Sequence, residues 1–400
     1  MHPTPTLPIG KSPMERETLL STLPSMSIPA PCIVIIQARM TSSRLPGKVL
    51  LDLHGEPMLG RVVERARRAR LIAQDAFGVV VATTTDPSDD PIEQFCAGRG
   101  YFCTRGSLHD VLDRYYQSVL AVDAARGDDR YRGDDLYRSS LPTLHSSLPT
   151  DIIVRITADC PLVDPALIDL MVQVFCDTGA DFAADRLPPP WGRSIPIGLD
   201  IEVVSRVALE RAWREADQPF QREHVMPYFY EGIPSAALLP PGETLPLLQG
   251  ERGTDRRLED VWSVAQTISP RGFHVAQLHH RHSEYGAYRW TVDTPADLQL
   301  LRAIYARLNP STPDFSWMDV LTLFESDPSL AQINRDVPPQ NRFRHRSSPL
   351  IPRPTPALPI ARAAMERGYP TPEVICTAAV ICTALHFPLP TSHSLPWQWL

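Results

Sequence analysis

The chain reads as an α/β protein built on a mostly parallel, doubly wound sheet. Three observations predict this. Apolar runs of strand length, Cys32 to Ile36, Gly78 to Thr83 and Ile152 to Ile156, alternate with stretches of helical period. Several of those stretches carry their own start and stop residues. Polar residues able to handle a charged ligand follow directly after two of the runs, at the carboxyl ends where open α/β sheets place their ligands.

Each element has a local cause. Cys32 to Ile36 is a buried strand, and Met58 to Arg70 follows as an amphipathic crossover helix. Leu59, Val62, Val63, Ala66 and Ala69 share one face of that helix, with Arg61, Arg65 and Arg68 on a solvated one. Gly78 to Thr83 is the second strand, Pro91 to Cys96 a short helix and Tyr101 to Cys103 a short strand. Ser107 and Asp110 offer a capping pair for a helix that turns Val111, Leu112, Tyr115, Val119 and Leu120 inward. After Ile152 to Ile156, Asp164 and Pro165 read as N-cap and first helical residue, and Gly179 as the stop. A β-like run at Tyr288 to Val292 leads into Thr294-Pro295-Ala296-Asp297, again an N-cap, a first-position proline and a capping-box acid. Asp297 thus has a structural role, whereas Asp293 has none.

These segments predict one large domain over residues 31–332. Two irregular stretches, 126–150 and 234–270, are expected as loops outside its core. Residues 1–30 and 333–400 are rich in Pro, Ser and Thr and are expected to be disordered tails. The N-terminal tail lacks a signal-peptide core, and Val374 to Leu385 falls short of the ~20 apolar residues of a membrane span. A cytoplasmic protein without a membrane anchor is expected. Seven cysteines without a C-x-x-C pair fit reduced thiols rather than a disulfide framework. A net charge of −7 argues against nucleic acid as a partner. His279, His280 and His282 lack metal-ligand spacing and read as a solvated loop.

The stretch Gln37-Ala38-Arg39-Met40-Thr41-Ser42-Ser43-Arg44-Leu45-Pro46-Gly47-Lys48 carries the chemistry. Of 39 basic residues only Lys11 and Lys48 are lysines. A chain that writes its positive charge as arginine keeps here a compact ammonium, a point charge able to follow a moving phosphoryl oxygen. The loop is neither a Walker-type nor a G-x-G-x-x-G loop. Its Arg, hydroxyl, Arg, Pro-Gly-Lys content supports binding of a nucleotide or phosphate and nothing finer. Asp159, after the Ile152 strand, should face the same crevice, and magnesium is commonly held by one or two carboxylates plus substrate phosphates.

This loop resembles the cytidylyltransferase family of spore-coat polysaccharide synthesis, together with Val79 to Thr84, Asp110 to Tyr116, Arg155 to Leu162 and Thr291 to Asp297, in that order. That family is similar in turn to the synthetases of CMP-activated Kdo and acylneuraminate. The resemblance implies a nucleotide-diphospho-sugar transferase-like, Rossmann-like sheet. It implies CTP and a sugar acceptor as partners, with transfer of CMP and release of pyrophosphate. It assigns Gln37, Ala38, Arg39, Ser43, Arg44, Lys48, Thr84 and Asp159 to the nucleotide, with Arg39 and Lys48 catalytic. Asp159 and Asp293 become ligands of Mg²⁺. Asp200, Glu202, Glu223 and His224 match the family's sugar side, and Arg186 could pair with the carboxylate of an acidic sugar. Alternation alone puts Asp200 and Glu202 on one face, as would any solvated edge strand. A glycosyltransferase of the GT-A class is an alternative that would want an Asp-x-Asp motif, where this chain has Ala158-Asp159-Cys160-Pro161. A non-catalytic scaffold is another, and a homodimer is left open.

Overall fold

A computed structural model describes residues 32–126, 152–188, 191–239 and 261–338. Unbroken apolar sequence from Cys32 to Ile36 leaves β1 (Cys32–Gln37) buried on both faces, the pattern of an interior parallel strand. It pairs in parallel with β2 (Val79–Thr84) on one side and β4 (Ile152–Thr157) on the other, and β2 pairs in parallel with β3 (Phe102–Gly106). The sheet continues through β5 (Phe182–Ala184), β6 (Glu202–Ser205), β7 (Trp262–Ile268) and β8 (His274–His280) in the order β3-β2-β1-β4-β6-β5-β8-β7. Only β6 and β7 run against the rest, so six of the eight described strands share a direction. The order reverses at β1 and β4, whose carboxyl ends therefore stand side by side.

Strand alternation sorts the core into two layers. Val34, Ile36, Val79, Val81, Ile152 and Val154 pack against α1 (Met58–Arg67), α4 (Pro165–Thr178), α8 (Pro295–Leu308) and α9 (Trp317–Ser326). Ile33, Ile35, Val80, Ala82 and Ile153 pack on the other face against α3 (Val111–Arg126), α5 (Arg206–Glu215) and the short α7 (Pro227–Tyr230). Between them α2 (Asp90–Arg99) links β2 to β3, and α6 (Pro219–His224) precedes α7. The expected caps are present. Asp164 accepts from the amides of Ala166 and Leu167, Gly179 ends α4 at φ 62°, and Thr294 and Asp297 form a capping box. Ser107 accepts from the amide of Asp110, which itself accepts from that of Asp113. Apart from Asp123–Arg126 at the end of α3, the described residues fall in one compact unit. No described helix is long and apolar enough to cross a membrane.

Several expectations are corrected. Arg65 is buried rather than solvated, because its guanidinium donates to the carbonyls of Val163 and Phe315 (2.7 and 3.1 Å) and lies over the Phe315 ring. Trp262–Ile268, read as loop, is β7, and His279 and His280, read as a solvated loop, are buried on β8. Histidine hides the strand signal there. His279 bonds the carbonyl of Leu238, and His280 packs among Trp262, Tyr285 and Trp317. Tyr288 to Val292 makes no sheet strand, only an isolated bridge at Arg289. The tail expectations, and the loop expectation for most of 126–150 and 234–270, fall outside the described residues.

Candidate functional site

The loop after β1 is shaped by its Pro-Gly pair. The amide of Lys48 donates to the carbonyl of Leu45 (3.3 Å), and Gly47 stands at φ 70°, ψ 8°, the geometry of a type II turn, which requires positive φ at its third position. The amide of Gly47 donates to the carbonyl of Met40 (2.9 Å), closing the loop on itself. Asp89, buried before α2, accepts from the amide of Met40 (2.6 Å) and from the Thr84 hydroxyl, so it staples this loop to the end of β2. The Thr84 side chain is thereby fully buried and engaged. Gln37 and Ala38 stand at the loop's base, the Ala38 amide on the carbonyl of Ala82. The result is an outer rim with Arg39, Ser43 and Arg44 exposed, and Lys48 turned inward at 8% exposure. Arg39 makes no hydrogen bond or ion pair among the described residues.

Asp159 sits just past β4, where its backbone carbonyl accepts from the Val292 amide (2.9 Å) and the Thr291 hydroxyl (3.0 Å). Trp290 and Tyr288 exchange backbone hydrogen bonds with Ile197 on the other flank. This crossing brings two backbones so close that a Cβ on Gly198 (φ 105°) would lie 2.6 Å from the Thr291 amide nitrogen, so only glycine fits. Asp293 is thus delivered, just before the cap of α8, to the crevice of β1 and β4. There the Lys48 Nζ donates to Asp159 Oδ2 (2.9 Å), Asp293 Oδ1 (2.9 Å) and the Val292 carbonyl (2.6 Å). Arg44 and Arg289 reach the second oxygen of Asp293 at 3.0 and 2.7 Å. Burial works to discharge the Lys48 ammonium, but the two carboxylates outweigh it and hold its pKa above the ordinary lysine value.

A second charged wall adjoins this centre. Arg155, midway along β4, pairs with Glu202 directly across on β6 and donates to the Gln37 side chain (3.3 Å). Asp200 lies 2.8 Å from Arg193 and 3.4 Å from Arg186. Asp185 is fully buried; one of its oxygens accepts from the Ile201 amide (3.1 Å) and the other has no hydrogen-bond partner among the described residues. Burial, then the nearby Asp200 charge, pushes its carboxyl well above the usual range. The edge-strand reading of Glu202 fails, since β6 is interior and begins at Glu202, after Asp200. Glu223 is exposed on α6 and His224 half-buried at its end. The next residue, Val225, has φ 68° and ψ −60°, with the Met226 amide on the His224 carbonyl (2.8 Å), a γ-turn that is strained for a β-branched residue.

The structure therefore gathers Lys48, Arg44, Asp159 and Asp293 at one point, and Arg186, Asp200 and Glu202 along one wall. It leaves Glu223 facing solvent. Sequence reasoning missed Asp89, Arg155, Asp185, Arg193 and Arg289. Arg155 had a signal, a charge inside the otherwise apolar Ile152–Ile156 run; the others become visible only through their partners.

The chain is similar to known proteins over these same parts. A family model described as cytidylyltransferase matches residues 33–236. The spore coat polysaccharide biosynthesis protein SpsF of Bacillus subtilis is 27% identical over 300 residues, 75% of this chain and 96% of SpsF. The 3-deoxy-manno-octulosonate cytidylyltransferase of Chromohalobacter salexigens is 32% identical over 197 residues, 48% of this chain and 64% of that protein. The solved structure of a cytidylyltransferase from Leptospira borgpetersenii superposes with a TM-score of 0.53 at 26% identity, covering 76% of this chain and 97% of that one. With its loop, its β4 aspartate and the strands from β2 to β6 inside the span that the family model matches, the chain belongs to the cytidylyltransferase family.

Proposed function

We propose that the chain joins CMP from CTP to an acidic sugar, releasing pyrophosphate, with Mg²⁺ as cofactor. The observation that carries the reading is the meeting of Lys48 with Asp159 and Asp293, residues more than a hundred positions apart, at the carboxyl ends of β1 and β4.

The residues fit a divalent cation. One positive atom already stands 2.9 Å from an oxygen of each carboxylate, and no group of three or more His, Cys, Asp or Glu competes for a metal among the described residues. Two carboxylates, with the remaining positions left to phosphate and water, suit magnesium. When bound, such an ion neutralises charge on the phosphate oxygens. The chain's own residues do the rest. Arg39, exposed and without an ion-pair partner among the described residues, with Ser43 and Arg44 on the same rim, would offer donors to the β- and γ-phosphates, where negative charge grows as pyrophosphate leaves. Gln37 and Ala38 are proposed for the base side, with the buried Thr84 supporting the loop through Asp89.

An acidic acceptor is supported by the charge of the second wall. Arg155, Arg186 and Arg193 face Asp200 and Glu202, while burial favours the neutral form of Asp185. A sugar carboxylate would find guanidinium donors on this wall. The similar cytidylyltransferase from C. salexigens is named for such a sugar acid. Asp200 and Glu202, with His224 nearby in sequence, are proposed for the sugar hydroxyls.

The test is pyrophosphate release with each of the four NTPs and Mg²⁺ across acidic and neutral sugars. CTP with an acidic sugar is the expected pair, and transfer from a preformed nucleotide sugar without pyrophosphate would favour a glycosyltransferase. Lys48→Ala should lower kcat/KM by roughly a hundredfold or more. Release at the wild-type rate would end the assignment.

A further inference from the structure

The ammonium of Lys48 does more than approach the two carboxylates. All three of its N–H donors are committed, to Asp159, Asp293 and the Val292 carbonyl at 2.9, 2.9 and 2.6 Å. The side chains are nearly closed to solvent, at 10% for Lys48, 13% for Asp159 and 5% for Asp293. Lys48 in this position can neither touch a phosphate nor leave those oxygens to another cation. A magnesium ion needs oxygens at about 2.0–2.1 Å, and it could not share that point with the ammonium.

Charge balance points the same way. Lys48 and Arg44 offset Asp159 and Asp293, and Arg289 offsets Asp297, to which it donates at 3.0 Å. Among these six groups no negative charge is left over to draw in a divalent cation. Release of the carboxylates needs a competing anion, and the geometry supplies a route for one. Lys48 ends the same loop that presents Arg39, Ser43 and Arg44, and its four-carbon stem lets the ammonium move while the Gly47 turn and the Asp89 staple hold the backbone.

We infer that Lys48 is a resident counter-cation that keeps the metal position closed until a nucleoside triphosphate draws the ammonium and Arg44 onto its phosphates. This rests on the metal reading above. It makes uptake of the cation conditional on the nucleotide, so that the acidic pair is not exposed to metal alone.

The test is Mn²⁺ titration of the full chain, followed by the electron-spin resonance signal of free Mn²⁺, with no acceptor sugar so that nothing turns over. Wild type should take up Mn²⁺ only with CTP, measured against a CTP-only control. Lys48→Met should bind Mn²⁺ without nucleotide roughly tenfold or more tightly than wild type, and Lys48→Met/Asp159→Asn should lose that gain. Lys48→Arg keeps the charge and should stay closed. Equal nucleotide-free binding by wild type and Lys48→Met overturns the inference while leaving the metal site standing. No protein-dependent uptake in any variant, even with CTP, overturns the metal reading as well, and the two failures are therefore distinguishable.

Discussion

Asp110 joins two duties whose loss can be separated. One carboxylate oxygen accepts from the Asp113 amide at 2.9 Å and starts α3; the other accepts from Arg222 Nε at 2.6 Å. Arg222 is 2% exposed and also donates to the carbonyls of Trp213 and Ala216, so it cannot turn out to water without breaking the junction of α5 and α6. Asp110→Ala removes the cap, about 1 kcal/mol. It also strands a buried guanidinium, about 3–5 kcal/mol. The sum of about 4–6 kcal/mol is a large share of the ~5–15 kcal/mol that holds a domain together. Asp110→Asn keeps an oxygen for the cap and should lose mainly the ionic part. In Asp110→Ala/Arg222→Met no buried charge remains, and most of the loss should return. Urea unfolding of the four proteins measures each term. A cost for Asp110→Ala no greater than the cap alone would refute the view that this ion pair fixes α6 against α3.

Three further outcomes are expected. Gly198→Ala forces a Cβ into the Thr291 backbone and should lower both thermal stability and kcat/KM, because the displaced segment carries Asp293; a variant with wild-type melting and turnover would show that the close crossing is dispensable. His280, buried beside His282, has its pKa pushed down to about 4, so its stabilising contribution is present above the unfolded value near 6.5 and fades as pH falls towards 4. That is roughly 3 kcal/mol lost between pH 7 and 4, and His280→Phe should shrink the difference in urea midpoint between those two pH values. Asp185 is shifted the other way, by burial first and Asp200 second. Its contribution is complete below about pH 3.9 and is lost as pH rises through the folded value. Asp185→Asn should therefore gain stability over wild type near pH 8 and show little gain at pH 4.

What could be read from the chain, and what could not, follows from the range of the interactions. β1, β2 and β4 announce themselves because burial on both faces demands runs of apolar residues, broken in β4 by Arg155, and the caps of α4 and α8 are written within four residues of sequence. β5, with three residues, and β8, with three histidines, carry too little local signal, since their burial depends on Trp262, Trp317 and Phe229 from elsewhere. Lys48, Asp159 and Asp293 are legible as charged residue types in the loop after β1, just past β4 and just before the cap of α8. Their meeting is not, because it depends on a crossing at Gly198 whose partners lie some ninety residues on. Asp89 and Arg155 act through tertiary partners, so their sequence context marks them only as charges out of place.

The reversal of β6 is what would let one sheet serve the two ligands proposed above. Had β6 run parallel to β4, its first residues would stand at the opposite edge, and Glu202 and Asp200 would point away from the Lys48 loop. Running antiparallel, β6 enters from the carboxyl edge, so Glu202 falls opposite Arg155 and Asp200 sits just outside the sheet beside Arg186 and Arg193. Arg155 then touches both sides, Gln37 at the foot of the Lys48 loop and Glu202 at the head of the second charged wall. A guanidinium fixed by two partners cannot follow a substrate, but it can set the distance between two binding regions. The requirement is strict, because attack on phosphorus needs donor and acceptor aligned to within a fraction of an ångström. Arg155→Lys would keep the charge and lose the second contact. It should therefore fall in kcat more than it rises in KM for either substrate, whereas a purely structural Arg155 would lose stability and leave that ratio unchanged.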